Sequence, residues 1–294
     1  MSFFHNGFRA ARITDMVRDG VARGPVDQAD VVAMQADTTA IDAQFFTPII
    51  VRALRSGDPR VSALAREPRI VEAAGRLARW NHTYPTGIPQ GYDAADRDGR
   101  LGAPSPAEID NSVAATIYAL WRGRFVVNVF DRHVPAGAPS TTDFHGMQAL
   151  RRVLATDGVG RSGIDFFAVP GIASAADRRD YLVLRSLADA LDLAASDAFA
   201  PAFGGSTDQG HYRWGKLHRI TLTSPLGAPY TIPSPGNRFG SPLPGLPGIP
   251  MDGGANVPDV SGHPLRADAP GKFTVSLIPI RRFVAEGAPG AGTR

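Results

Sequence analysis

From about residue 8 to about residue 200, apolar side chains recur every three or four positions, the period of a helix with one buried face. Ile41, Phe45, Ile49 and Ala53 repeat every fourth residue, which predicts one buried face, with Pro48 inside the pattern predicting a kink because it lacks an amide donor. Ile70, Val71, Ala74, Leu77 and Ala78 form a second stripe ending near Trp80. Ser105-Pro106-Ala107-Glu108 is a capping box with proline at the first helical position, and Ile109, Val113, Ile117, Leu120 and Trp121 follow on one side. Asp27 with Asp30 predicts a helix running towards Thr39. Ser140 with Asp143, and Ser174 with Asp177, predict two more starts. The last helix turns Tyr181, Leu184, Leu187, Leu191 and Ala195 inward. Thr83 to Pro104 has turn residues and no period, which predicts a long surface loop.

The pattern then changes. Glycine and proline are dense from Pro225 to Gly254, and short β-branched runs at Lys216–Thr223, Lys272–Ile278 and Arg281–Val284 predict strands. Many helices followed by a few strands read as an α+β chain, divided into a helical region at 1–205 and a strand-rich segment at 206–294. So few late strands make a poor sheet, with edge amides and one apolar face unpaired. Either the sheet is small and packs on the helices, or its remaining strands belong to another segment.

A chain of 294 residues holds one large or two ordinary domains, and 43% hydrophobic content suffices for a sizeable core. No apolar run approaches the ~18 residues of a membrane span. Met1 to Arg9 shows no basic stretch followed by an apolar one, so no secretory signal is expected and the compartment stays open. Cysteine is absent, which excludes disulfides and thiolate metal sites. The net charge of +3 raises a nucleic-acid partner. Against it, Lys216 and Lys272 are the only lysines and the arginines are mixed with acids, as on a solvated surface.

Familiar catalytic motifs fail. Gly158-Val159-Gly160-Arg161-Ser162-Gly163 matches G-x-G-x-x-G, but a helix precedes it and an extended run follows, the reverse of a dinucleotide site. Asp93, Asp96, Asp98 and Gly99 lack the register of a calcium loop. The seven histidines show no metal-binding spacing, and no G-x-S-x-G elbow occurs.

A set of short segments carries more. In order they are Gly7-Phe8-Arg9-Ala10-Ala11-Arg12-Ile13, Met34-Gln35-Ala36-Asp37, Phe46-Thr47-Pro48-Ile49-Ile50 and Leu77-Ala78-Arg79-Trp80-Asn81. Ser105-Pro106, Ile117-Tyr118-Ala119-Leu120-Trp121, Trp214-Gly215-Lys216-Leu217-His218, Asp252-Gly253-Gly254 and Arg281-Arg282-Phe283-Val284 follow. Together they resemble the penicillin acylase (penicillin amidase) family of N-terminal-nucleophile hydrolases. Asn81 stands where the family usually has aspartate.

The resemblance implies a four-layer αββα core with a helical region inserted before its final strands, so the late strands would return to a sheet begun elsewhere. It implies an amidohydrolase acting on linear amides, such as a β-lactam side chain or an N-acyl homoserine lactone. The family's serine uses its own α-amine as base, forms an acyl-enzyme, and is assisted by an oxyanion asparagine. Neither matches a residue here, and Ser2, followed by Phe3-Phe4-His5-Asn6, does not fit the nucleophile strand. By the same resemblance Arg12 is the arginine that borders the site and helps hold the oxyanion asparagine. Glu286, in Arg282-x-Val284-x-Glu286, matches a buried acid near the site in some members. His218 and Trp214 read as structural.

The expectation is therefore a partial β-subunit, truncated at both ends and inactive alone. Its expected partners are an α-subunit, the N-terminal part of the β-subunit and a small-molecule amide, with no cofactor, metal, nucleic acid or membrane. Members are often periplasmic or secreted. The alternative is a non-catalytic helical module that binds a partner or ligand.

Overall fold

The computed structural model describes residues 7–93, 102–135, 143–221, 224–231, 245–246, 248–254 and 256–258, with backbone alone for 143–145 and 228. Helices come first: α1 (Phe8–Arg23), α2 (Gln28–Gln35), α3 (Ile41–Ala53), α4 (Pro59–Ala65), α5 (Pro68–Arg79), α6 (Pro106–Phe130), α7 (Asp143–Leu154) and α8 (Ala175–Ala194). Two one-turn helices follow, α9 (Ala200–Phe203) and α10 (Trp214–Leu217), and then β1 (Arg219–Ile220) and β2 (Ile249–Pro250). The described chain is thus mostly helical with one two-stranded antiparallel sheet, Arg219 opposite Pro250 and Ile220 opposite Ile249.

Three helix starts follow from local chemistry. Asp27 accepts from the Asp30 amide and Asp30 reaches back to the Asp27 amide, a reciprocal box that satisfies two otherwise orphaned donors. Ser105 and Glu108 do the same for α6, and Ser174 caps α8 through the Asp177 amide. Helix α7 is described from Asp143, and its predicted cap, Ser140, lies outside the described residues. Likewise α2 stops at Gln35, four residues short of Thr39, because Asp37 turns back to bond the Thr39 amide and hydroxyl.

The core is centred on α6, which is buried on nearly every side from Ser112 to Trp121. Helix α8 packs along it, and the Trp121 indole donates to the Val183 carbonyl at 3.0 Å. Where α7 crosses α6, a Cβ on Gly146 would overlap Val126, so the close approach requires glycine. Helices α3 and α4 pack on α8, and α5 bridges α3 and α6.

Four expectations change. Helix α3 buries Asp42, Ala43, Phe46, Thr47, Ile50 and Ala53, while Phe45 is exposed and Ile41 and Ile49 sit at the margin. The apolar stripe exists, but Phe46 and Ile50 win the interior because Phe46 meets Trp121, ring centroids 5.9 Å apart. In α5, Ala73 is buried and Val71 and Ala78 face solvent.

Thr83 onward is irregular, as predicted, yet Tyr84, Thr86, Gly87 and Ile88 are buried rather than on the surface. Their backbone groups find partners: Gly215 N–H donates to Thr86 O, Gly253 N–H to Tyr84 O, and Tyr92 N–H to Pro250 O. The strand predicted over Lys216–Thr223 is replaced in part by α10. The His218 amide donates back to the Trp214 carbonyl at 2.8 Å, closing a helical turn and leaving Arg219–Ile220 to pair. The predicted strands at Lys272–Ile278 and Arg281–Val284 lie outside the described residues.

The Gly158–Gly163 run is a tight reversal with no helix after it. Val159 bridges Asp165, and Gly158 takes φ +95° where a Cβ would overlap Phe167. On the C-terminal side of the proposed 205/206 division, Tyr212, Trp214, Leu217, Leu246 and Val257 share one apolar core with the helices.

Candidate functional site

Arg12 projects from α1 onto Asp37. Its Nε donates to Oδ1 at 3.0 Å and its Nη2 to Oδ2 at 2.6 Å, a forked pair that fixes the guanidinium plane. Asp37 is held in turn by the Thr39 amide and hydroxyl, both at 3.1 Å. The Asp37 bond is the main reason the Arg12 pKa rises further, so the charge is permanent. Three residues earlier on α1, Arg9 directs Nε and Nη2 at the Pro258 carbonyl, each at 3.4 Å. The first turn of α1 and the end of the described C-terminal run therefore lie side by side.

A second junction has no counterpart in the sequence expectations. Asp42, fully buried on α3, receives hydrogen bonds at Oδ2 from Tyr118 Oη (3.1 Å), Arg122 Nη1 (3.3 Å) and Asn256 Nδ2 (3.0 Å). Helix α6 supplies the first two groups and the late segment the third. Burial, reinforced by the Asp42 charge, raises the Tyr118 hydroxyl well above the ordinary phenol range, so it stays a donor. The signal available in the sequence was an aspartate set among Ile41, Ala43 and Phe46. A charge there is tolerable only when paired.

The third junction lies around Trp214. Its ring stacks on His218, centroids 4.9 Å apart and 15° between planes, and its Nε1 donates to Gly253 O at 2.8 Å. Its backbone amide donates to Ser112 Oγ at 2.8 Å, and that hydroxyl donates to Thr86 O at 2.8 Å. His218 Nδ1 meets Met251 O at 3.0 Å. Rings run on from Trp214 through Tyr84 and Trp80 to Tyr118, with successive centroids 4.9, 5.4 and 5.4 Å apart. This indole and imidazole are buried and hydrogen-bonded within the fold, and they join the third junction to the second.

Next to them Arg219 is fully buried and holds the carbonyls of Leu246 (2.9 Å) and Gly248 (2.6 Å). Burial pushes its pKa down to about 10. Leu246 and Gly248, late in the glycine- and proline-rich run, are thereby tied to a buried guanidinium, which no sequence pattern announced.

Ser206, Asp208 and His211 also meet. His211 Nδ1 is 2.8 Å from Ser206 Oγ, and His211 Nε2 is 3.9 Å from Asp208. These residues form a solvent-exposed turn: Ser206 Oγ accepts from the Asp208 amide, and Asp208 accepts from the Gly210 amide. A serine nucleophile needs a base in a water-excluded site with oxyanion donors, and this turn offers none of that setting. Among the described residues no group of three or more histidine and acidic side chains could hold a metal ion.

Of the residues singled out from sequence, Arg12 sits in the first junction, and Ser2 and Glu286 lie outside the described residues. Segments separated along the chain are brought together: Gly7–Ile13 with Met34–Asp37, and Trp214–His218 with Asp252–Gly254. Residues 1–292 match the family model described as penicillin amidase. No curated protein matches the chain.

Proposed function

Because the chain belongs to the penicillin amidase family, we propose that it supplies the helical scaffold of an N-terminal-nucleophile amidohydrolase acting on linear amides. The serine, its amine base and the oxyanion asparagine come from polypeptide other than these 294 residues. The observation that carries this reading is the forked Arg12–Asp37 pair, because it unites two segments that resemble the family in one rigid contact. Nε and Nη2 bond Asp37, and in this scheme the remaining nitrogen, Nη1, braces an oxyanion element arriving at the N-terminal side of α1. Arg12 is a positioning residue in this scheme. Its charge does not vary with pH and its plane is fixed, so it holds a neighbour without taking part in proton transfer.

The adjacency of Arg9 and Pro258 supports the same architecture. An insertion between sheet strands has to bring distant parts of the chain back together, and Arg9 and Pro258, 249 positions apart, lie within one side chain's reach. Acyl specificity belongs to the surfaces that complete the site, with a β-lactam side chain or an N-acyl homoserine lactone as the class of substrate.

The test is turnover of a chromogenic phenylacetyl anilide by the purified chain. No hydrolysis above buffer is expected, and hydrolysis on co-expression with a family polypeptide carrying the serine–asparagine strand. Turnover by the chain alone, abolished by Ser2→Ala, would overturn the proposal.

A further inference from the structure

Helix α1 carries two apolar stripes, and the described fold uses one. Phe8 and Gly20 are its only buried residues, and Gly20 faces α2, where an added Cβ would meet Met34 Cε at 3.1 Å and Val26 Cγ2 at 3.3 Å. Ile13, Val17 and Val21 follow one another at i, i+4 and i+8 and remain 36%, 44% and 64% exposed. Val26 and Val31, on the neighbouring hairpin, are each about two-fifths exposed as well. A run of β-branched residues along three helical turns is an apolar face that the described residues leave open, the kind of surface that marks an interaction.

The structure indicates what lies within reach of it. Arg9, on the same helix, binds the Pro258 carbonyl, so residues 259–294 continue from the flank of α1. Within them Phe273, Val275 and Leu277 alternate with Thr274, Ser276 and Ile278, placing three large apolar groups on one face at strand spacing. Residues 259–271 span up to ~43 Å when extended. Helix α1, at 16 residues, is only ~24 Å long. The tether therefore reaches every turn of the stripe.

We propose that residues 272–284 of this chain dock on α1 through Phe273, Val275 and Leu277, covering Ile13, Val17 and Val21. The contact does not depend on amide hydrolysis, and its test reads a distance rather than an activity. Because the chain contains no cysteine, introduced pairs report without background. Val17→Cys is combined in turn with Phe273→Cys, Val275→Cys and Leu277→Cys, and with Thr274→Cys and Ser276→Cys as controls on the opposite face. Mild oxidation of the full chain is followed by mapping of the linked peptides.

At least one of the first three pairs should close within a chain at least ten-fold faster than either control. Val17 is exposed on the described body, so its replacement leaves the core intact, and a thermal melt of each variant verifies this. In the single variant Val17→Cys, thiol labelling should be at least five-fold slower than in the single variant Arg18→Cys. Equal closure by both faces, equal labelling rates in the two single variants, or links formed only between chains would overturn the docking. The last result would assign the face to a second copy.

Discussion

Asn256 Nδ2 donates to Asp42 Oδ2 across 3.0 Å, tying the late segment to a carboxylate on α3 that is 214 positions earlier in the chain. Tyr118 and Arg122 converge on the same oxygen from α6. One buried acid thus fixes the relative positions of two helices and the run that leaves beside α1. Loss of that pairing is therefore expected to destabilise the helical body.

Asp42→Ala should therefore cost about 3–5 kcal/mol, since it strips the carboxylate from buried Arg122 and leaves Tyr118 and Asn256 without their shared acceptor. Replacing both charges, Asp42→Leu with Arg122→Met, should cost clearly less than Asp42→Ala alone. Urea unfolding of the parent and the two variants measures the difference. An equal or larger loss in the double variant would contradict a penalty arising from a buried charge that has lost its carboxylate.

Gly87 has φ +67°, and a Cβ there would overlap Ser112, whose hydroxyl anchors both Trp214 and Thr86. Gly87→Ala should lower stability by about 2–4 kcal/mol, combining left-handed strain with overpacking. Gly57→Ala, with nothing within 4 Å of the added atom, should stay within about 1 kcal/mol of the parent. Thermal melts of the pair decide the matter.

Trp214→Phe keeps a ring against His218 but removes the donor to Gly253. A loss of roughly 1–3 kcal/mol is expected, with hydrogen exchange rising at residues 251–254. Unchanged exchange there would mean that the indole N–H does not hold the Asp252-Gly253-Gly254 segment.

Burial lowers the pKa of His82, and burial with the neighbouring Arg132 charge lowers that of His133. For a histidine whose folded pKa lies below its unfolded value, the unfolded chain takes up the proton first. Stability is then whole above about 6.5 and falls as pH drops from there through the folded pKa. The melting temperature should decline as pH falls below about 6.5. His82 holds φ +64°, so His82→Asn, which tolerates that conformation, is the variant that should flatten the decline.

What the sequence made legible was local. Asp27 with Asp30, Ser105 with Glu108 and Ser174 with Asp177 act within one turn, so residue order alone specifies them. The Gly158–Gly163 loop was recognisable because a dinucleotide site needs a helix immediately after the glycines. Long-range effects were hidden. Which side of α3 faces inward depends on Trp121 and Asn256, and the burial of Tyr84 to Ile88 depends on Gly215 and Gly253, all far away in the chain. Lys216 to Thr223 has the apolar content of a strand, whereas the Trp214–His218 turn is closed by local backbone bonds that composition does not encode. Arg12 was found through resemblance, and its partner Asp37 emerged only in three dimensions.

The most direct test of the central claim, that the nucleophile is contributed by other polypeptide, is intact-mass spectrometry of the purified chain after incubation with a serine-directed sulfonyl fluoride. The account predicts an unmodified mass, with Ser206 beside His211 unreactive because it is part of an exposed turn. A stoichiometric adduct on any serine of this chain, accompanied by loss of anilide hydrolysis, would contradict it.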